Sequence, residues 1–160
     1  MTRFLRAACI AAALLAPIAA HAGCDLPANA AELQAQLVAK INATRADHGL
    51  SALRMNAALA TSAQGLACDN AKRKSTSHVS ADGSRLQGRL RRAGYQFALA
   101  NENTGRGFTS AARAIQWWMN SPHHADNILM NGTQDIGVGI AVSAAPESRL
   151  HWVIDMAASK

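Results

Sequence analysis

The most informative part of the sequence reads WMNSPHHADNIL over residues 118–129 and is followed by DIGVGIA over residues 135–141. Proline is accepted at the first position of a helix, so a short helical segment is predicted to begin at Pro122. The second part alternates large and small apolar residues, which predicts a strand with Gly137 and Gly139 on one face. Glycines placed in this way often mark the close approach of another backbone.

Outward from this stretch, the spacing of apolar residues predicts four more helices. They are Asn29–Asp47, a helix capped by Asn56, Arg85–Ala93, and a helix capped by Thr109 or Ser110. Gly49 supplies a stop for the first of them, and asparagine, serine and threonine are favoured caps for the second and the fourth. The polar segment Lys72–Ser84 is predicted to be a loop.

Three strands are predicted between and after these helices. The first is Tyr95–Ala100, which leads into Asn101-Glu102-Asn103 and a turn at residues 105–107. The others are Asp135–Ser143 and Leu150–Met156, separated by a turn around Pro146. Helices mixed with a few antiparallel strands predict an α+β fold, layered as an α-β-α sandwich.

The first 22 residues have the pattern of a secretory signal peptide. Two arginines near the start are followed by an apolar run over residues 7–20 and by Ala-His-Ala at 20–22, a small-X-small cleavage site. The apolar run is shorter than the roughly 20 residues that span a bilayer, and no transmembrane segment is predicted elsewhere. We therefore expect cleavage near Ala22, one domain over residues 23–160, and a secreted or periplasmic location.

The charge of the remaining chain narrows its expected partners. The sequence has 16 Lys and Arg residues against 10 Asp and Glu, and loss of the two leader arginines leaves a net charge of +4. This bias is too small to predict a nucleic-acid-binding protein. It is suited to an anionic component of the cell envelope. The expected oligomeric state is a monomer.

Two of the three cysteines, Cys24 and Cys68, follow the predicted cleavage site. An exported chain folds in an oxidising compartment, so this even pair predicts one disulfide. The alternative is lipidation of Cys24 as the first residue of a lipoprotein, which would leave Cys68 unpaired. His21 stands where a lipoprotein signal usually has leucine, and this favours the disulfide.

Several blocks follow one another along the chain in a recognisable order. They are INATR at 41–45, NAAL at 56–59, Ser77-His78, Asn101-Glu102-Asn103 and the two parts of the opening stretch. In order and spacing they resemble the CAP superfamily of cysteine-rich secretory, antigen 5 and pathogenesis-related 1 proteins, and above all its bacterial SCP domains. The resemblance runs from about Leu33 to Met156. It implies a three-layer α-β-α sandwich with a groove lined by two His and one or two Glu, where a divalent metal is sometimes bound.

The resemblance also implies site residues. His78 matches the first His of the family groove, Glu102 the Glu of its Glu-Asn motif, and His124 the second His. His124 is preferred to His123 because the family has a small residue and then His after Ser-Pro. Many eukaryotic members have a second Glu where this chain has Ser121, so one carboxylate of a four-residue acid–base mechanism is missing.

A smaller departure from the family pattern precedes the Glu. Asn101 stands where the family often has Gly, directly before Glu102. Asn103, on the other side of Glu102, is predicted to be structural and to hydrogen-bond to backbone.

The chemistry of these three side chains allows two interpretations. Neutral imidazoles of His78 and His124 would ligate Zn²⁺ or another divalent metal, with Glu102 binding directly or orienting a histidine. Water on such a metal becomes acidic enough to hydrolyse a substrate near neutral pH. The same residues also suit a metal-free polar cluster in which Glu102 accepts hydrogen bonds from both imidazoles. No activated Ser or Cys accompanies them, so none is assigned a confident catalytic role.

Two other features lie outside this cluster. One indole of Trp117-Trp118 is predicted to face the core, and the other can stack on a ligand. Arg85, Arg89 and Arg92 fall on one side of a short helix and are predicted to form a solvated face. The alternative is that they contact anionic envelope material.

Two functional hypotheses follow. The first is a binding module whose groove takes a divalent metal, a small apolar or lipid-like ligand, or both. The second is a metal-dependent, peptidase-like hydrolase acting on extracellular or envelope substrates. Whether the chain is an enzyme stays open at this point.

Overall fold

A computed structural model of the protein describes residues 24–143, 145 and 149–160. The predicted signal peptide and the predicted turn around Pro146 lie outside these residues. The described elements are α1 (Ala30–Asp47), β1 (Arg54–Met55), α2 (Ala57–Arg73), α3 (Leu86–Arg92), β2 (Phe97–Arg106), α4 (Ala111–Met119), α5 (Pro122–Ile128), β3 (Asp135–Val142) and β4 (Leu150–Ser159).

The predicted helix ends are confirmed. Asn56 caps α2, and its Oδ1 accepts hydrogen bonds from the backbone N–H groups of Ala58 and Leu59. Ser110 caps α4 through its side chain. Gly49, just after α1, has a φ of +69°, a left-handed conformation that glycine adopts without a steric penalty.

The four described strands form one mixed sheet in the order β1-β3-β4-β2. β4 pairs antiparallel with both β3 and β2, and β1 pairs parallel with β3. The sequence did not predict β1, because it has two exposed residues and no apolar alternation. Its pairing comes instead from backbone hydrogen bonds, Arg54 N–H to Gln134 O within the strand and Asn56 N–H to Ile136 O just after it.

Alternate residues of the sheet face two helical layers, as the pleat of a strand requires. One face packs on α1 and α4 and forms the main core. The sheet residues of that core are Ile136, Val138, Ile140, Trp152, Ile154 and Met156. The opposite face packs on α2 and α3 through smaller side chains, among them Ala141, Val153 and Ala157. The predicted three-layer α-β-α sandwich is therefore confirmed.

Close approach of α2 to β3 explains the two strand glycines. A Cβ at Gly137 would overlap the backbone of Leu59 and Ala60, and a Cβ at Gly139 would overlap that of Ala63. The prediction that another backbone lies against these glycines is confirmed.

β2 is longer than the sequence predicted. The strand was expected to end at Ala100, with Glu102 in the segment after it and a turn from Gly105. Instead β2 continues to Arg106 and pairs with β4 as far as that residue, with one register shift between Phe97 and Leu99. The error arose because residues 101–104 are all polar, yet their side chains are buried.

A disulfide joins Cys24 to Cys68 of α2, with a Cα–Cα distance of 5.4 Å. The predicted pairing is confirmed, and it anchors the first described residue to α2. None of the helices among the described residues is both long and apolar enough to cross a bilayer.

Candidate functional site

The candidate site surrounds β2, which lies at one edge of the described sheet. Side chains of the two helical layers meet around this edge. Glu102 of β2 faces α3, and the neighbouring Asn103 faces α5. Trp118 Nε1–H and Asn127 Nδ2–H donate to the edge carbonyls of Thr104 and Glu102, at 3.1 Å each. The edge is thereby closed by side chains instead of a further strand.

Glu102 and His78 are in direct contact. Glu102 is 7% exposed, and its Oε1 accepts a hydrogen bond from His78 Nδ1 at 2.7 Å. Because a carboxylate can only accept, His78 carries its proton on Nδ1 and leaves Nε2 available. The His78 side chain is 53% exposed, so its free nitrogen is accessible from solvent.

The second oxygen of Glu102 forms a buried ion pair with Arg89 of α3. Arg89 is 5% exposed, so the prediction that it belongs to a solvated arginine face is wrong. Arg85 and Arg92 are exposed as predicted, and Arg92 pairs with Asp82 at 2.8 Å on the surface. Burial of one guanidinium among three is explained by the carboxylate that neutralises it.

Arg89 also holds the loop that carries His78. Its Nη1–H group donates to the carbonyl of His78 at 3.2 Å and to that of Ser84 at 3.3 Å. From the other side, Asn70 and Arg73 of α2 donate to the carbonyls of Ser77 and Val79, at 2.9 Å and 2.6 Å. The position of His78 is therefore set by hydrogen bonds to buried or anchored side chains on two helices.

A second carboxyl group lies beneath Glu102. Asp155 of β4 pairs in register with Glu102 and is completely buried. Burial, followed by the charge of Glu102, raises the pKa of Asp155 well above its usual range. Asp155 is therefore expected to be protonated, since two adjacent buried carboxylates and one Arg89 cation would leave an unbalanced charge.

His124 is positioned from α5 by weaker contacts. Its Nδ1 and the Oγ of Ser121 are hydrogen-bonded at 2.8 Å, and its backbone carbonyl accepts from Asn103 Nδ2–H at 3.0 Å. The predicted structural role of Asn103 is thus confirmed. Burial, then the nearby charges of His78 and His123, lower the pKa of His124.

His78 and His124 line one groove with a volume of about 360 Å³. Its apolar side is formed by Trp117 and Phe108, whose ring centroids lie 5.4 Å apart. The Trp117 ring also lies 5.0 Å from the imidazole of His124. Trp118 is fully buried whereas Trp117 is 48% exposed, as the sequence predicted for one indole of the pair.

A zinc centre of the hydrolytic kind does not fit this arrangement. Such centres have three protein ligands and a water. Both oxygens of Glu102 are already hydrogen-bonded, to His78 and Arg89. The groove therefore offers a metal ion two protein ligands, the imidazole nitrogens of His78 and His124. Among the described residues, no three His, Cys, Asp or Glu side chains lie close enough to hold a metal ion.

Sequence reasoning missed the role of Arg89 and the contribution of Phe108. A signal for Arg89 was present, since it falls three residues after Leu86 and precedes Leu90, on the apolar side of α3. A charged residue at such a position requires a buried partner. Phe108 gave no signal, because it lies in a short loop without periodicity.

The described residues form an α-β-α sandwich, with His78 on the α2–α3 loop, Glu102 on the edge strand β2 and His124 on the short helix α5. The family model named Cysteine-rich secretory protein family (CAP) matches residues 38–156, and this chain belongs to that family.

Two proteins of Bacillus subtilis are similar to this chain in sequence. The chain is 30% identical over 105 residues to the uncharacterized membrane protein YlbC of Bacillus subtilis, covering 66% of this chain and 30% of that protein. It is 27% identical over 119 residues to YkwD of the same organism, covering 74% of this chain and 46% of YkwD. The chain thus spans less than half the length of either relative.

Among solved structures, an extracellular SCP-domain protein of Bacillus anthracis has a TM-score of 0.72 and 25% identity, covering 84% of this chain and 44% of that one. An outer surface protein of Borrelia burgdorferi also has a TM-score of 0.72, at 21% identity, covering 81% of this chain and 94% of that one. The second likeness shows the fold alone.

Proposed function

We propose that this chain is an exported binding module whose groove takes a small molecule with an apolar part. The observation that carries this proposal is the exposed ring of Trp117, which lies against Phe108 and His124 at the groove wall. A large aromatic side chain left half exposed beside a concave surface favours ligand contact, since burying it against an apolar partner is favourable.

Export is supported by the leader-like first 22 residues and by the disulfide of Cys24 and Cys68, a bond typical of oxidising compartments. One similar solved structure is described as an extracellular protein. Fractionation of cells expressing the full chain, with mass measurement of the mature N-terminus, tests this part. A product that retains residues 1–22 would contradict it.

The groove can be tested through its own indole. Trp118 and Trp152 are fully buried, so Trp117 is the tryptophan whose emission should respond to a ligand. We expect 1-decanol to shift the emission of the wild type. Phe108→Ala should weaken binding about tenfold, because it removes one aromatic wall.

Trp117→Phe serves as the matched control for that experiment. It should abolish the emission change while calorimetry still detects binding, since an aromatic ring remains at the wall. If calorimetry and fluorescence both show no binding of 1-decanol to the wild type, the apolar-ligand proposal is wrong.

Metal binding by His78 and His124 is the alternative use of the same groove, and the hydrolase hypothesis depends on it. The two imidazoles supply two ligands, one fewer than a hydrolytic zinc centre has, so we expect zinc to bind weakly and without hydrolysis. Zinc titration of the wild type against His78→Ala and His124→Ala measures this. Tight zinc binding lost in both variants, together with cleavage of a peptide library, would favour the hydrolase over the binding module.

A further inference from the structure

We propose that the ligand of this groove is an amphiphile with a negatively charged head group, and that Arg106 is the residue that binds this head. The inference rests on the proposed function and adds the charge class of the ligand. It is carried by the charges that line the groove and by the free hydrogen-bonding capacity of Arg106.

The lining of the groove has one permanent charge. Arg106 lines it together with His78, Phe108, Trp117 and His124, and no Asp or Glu among the described residues does so. Glu102 is nearby, but its carboxylate is already engaged by His78 and Arg89. A concave surface with a fixed cation and no opposing acid attracts anions.

Arg106 has further N–H groups besides the one that donates to Lys74. It is the last residue of β2, is exposed, and donates from Nη1 to the backbone carbonyl of Lys74. Among the described residues, no carboxylate lies within ion-pair distance of it. The hydrogen bond to Lys74 fixes one side of the guanidinium, and the remaining N–H groups can bind a carboxylate or phosphate through two parallel bonds.

Polar and apolar groups are both present on the groove wall. Thr76 and Thr104 supply polar surface alongside Arg106, while Phe108 and Trp117 supply aromatic surface. A volume of about 360 Å³ lies at the small end of ligand pockets, which favours a single chain over a bulky polycyclic molecule. The ligand class that fits is a single-chain amphiphile with a carboxylate or phosphate head.

Three ten-carbon probes that differ in head charge test this assignment. Decanoate, 1-decanol and decylamine are titrated at pH 7.5, with Trp117 emission and calorimetry as readouts. We expect decanoate to bind at least tenfold more tightly than 1-decanol, and decylamine to bind least. Equal affinities for decanoate and 1-decanol, or a preference for decylamine, would overturn the role of the anionic head.

Variants separate the role of Arg106 from that of net charge. Arg106→Ala should weaken decanoate about tenfold and leave 1-decanol unchanged, whereas Arg106→Lys should retain part of the preference. Lys40→Ala removes the same charge from an exposed site on α1 and should change neither. A similar loss in Lys40→Ala, or an equal loss of both probes in Arg106→Ala, would contradict the proposal.

The same variants identify the source of the head group. Vesicles of phosphatidylglycerol and phosphatidylcholine present it in a bilayer, and decanoate presents it free in solution. Vesicle binding that requires phosphatidylglycerol and Arg106 would assign a bilayer lipid, and binding of decanoate without vesicle binding would assign a free amphiphile. Absence of binding to 1-decanol and decanoate alike would instead reject the groove as a ligand site.

Discussion

The two histidines of the groove are held in different ways. His78 lies on a loop, yet its imidazole donates to a buried carboxylate that is paired with the buried Arg89. His124 lies on a helix, yet its imidazole contacts one hydroxyl, that of Ser121, and the exposed ring of Trp117. The irregular segment thus carries the more firmly positioned side chain.

This difference shows that secondary structure is a poor guide to how rigidly a site residue is held. The number and burial of its polar partners decide it, because a buried charge that loses its partner is costly. Each of the following variants tests one side of the comparison.

The largest effect is expected at the His78 side. Arg89→Ala removes the cation that neutralises Glu102 and leaves the buried carboxylate with the hydrogen bond from His78, so we expect a loss of about 3–5 kcal/mol in the free energy of unfolding, measured by urea denaturation. Arg92→Ala is the matched control on the same helix. Its pair with Asp82 is exposed on both sides, and its removal should cost less than about 1 kcal/mol. Equal losses of unfolding free energy in the two variants would show that the buried pair of Arg89 is no more stabilising than the exposed pair of Arg92.

A smaller effect, an increase in stability, is expected from a substitution at Asp155, which lies beneath Glu102. Burial and the charge of Glu102 raise the pKa of Asp155 in the fold, so the stability linked to its proton is present at low pH and lost as pH rises. Asp155→Asn is neutral at every pH. At pH 7 the free energy of unfolding of this variant should therefore exceed that of the wild type by more than the ~0.5 kcal/mol by which surface substitutions typically change it.

The control for this variant is the pH of the measurement. At pH 3, where the aspartic acid is protonated in both the folded and unfolded states, the advantage of Asp155→Asn should disappear. An advantage that is the same at pH 3 and pH 7 would mean that ionisation of Asp155 is not its cause.

At the His124 side, Ser121→Ala should have a modest effect. It removes one partly exposed hydrogen bond, with an expected loss of about 0.5–1 kcal/mol. The imidazole resonances of His124 should shift in NMR spectra while those of His78 stay in place. A shift of both sets would indicate that the two histidines are not independently held.

The smallest effect concerns pH. Burial lowers the pKa values of His124 and His151, so the unfolded chain binds more protons than the fold as pH falls through about 6.5. The contribution of these two histidines to thermal stability should therefore decline between pH 7.5 and 5.5, in the opposite direction to that of Asp155. His124→Ala should reduce this decline without abolishing it, because His151 remains. An unchanged pH slope in His124→Ala would contradict the lowered pKa of His124.

Most of the fold follows from the sequence because local signals agree with packing. Leu33, Leu37 and Ile41 repeat at helical spacing and are all buried against the sheet. Caps at Asn56 and Ser110 are local hydrogen bonds and are therefore visible without tertiary context. The alternation in β3 is equally clear, since its two faces pack on different helical layers.

The remaining features depend on contacts between distant segments. β1 exists through backbone pairing with β3, and no property of Arg54 or Met55 predicts it. Burial of Arg89 depends on Glu102, 13 residues away, and the groove wall depends on Phe108 meeting Trp117. The family resemblance supplied the three residues of the site, but not the ion pair of Arg89 and Glu102 that positions His78.

The bare backbone at Gly137 has an effect that reaches the groove. Because α2 rests directly on that residue, a single added methyl group would lift the helix away from the sheet. Asn70 and Arg73 belong to that helix and hold the carbonyls on either side of His78. The absence of a side chain at Gly137 thus fixes how close α2 lies to the sheet. Through α2 it also fixes the position of His78 at the edge of the sandwich.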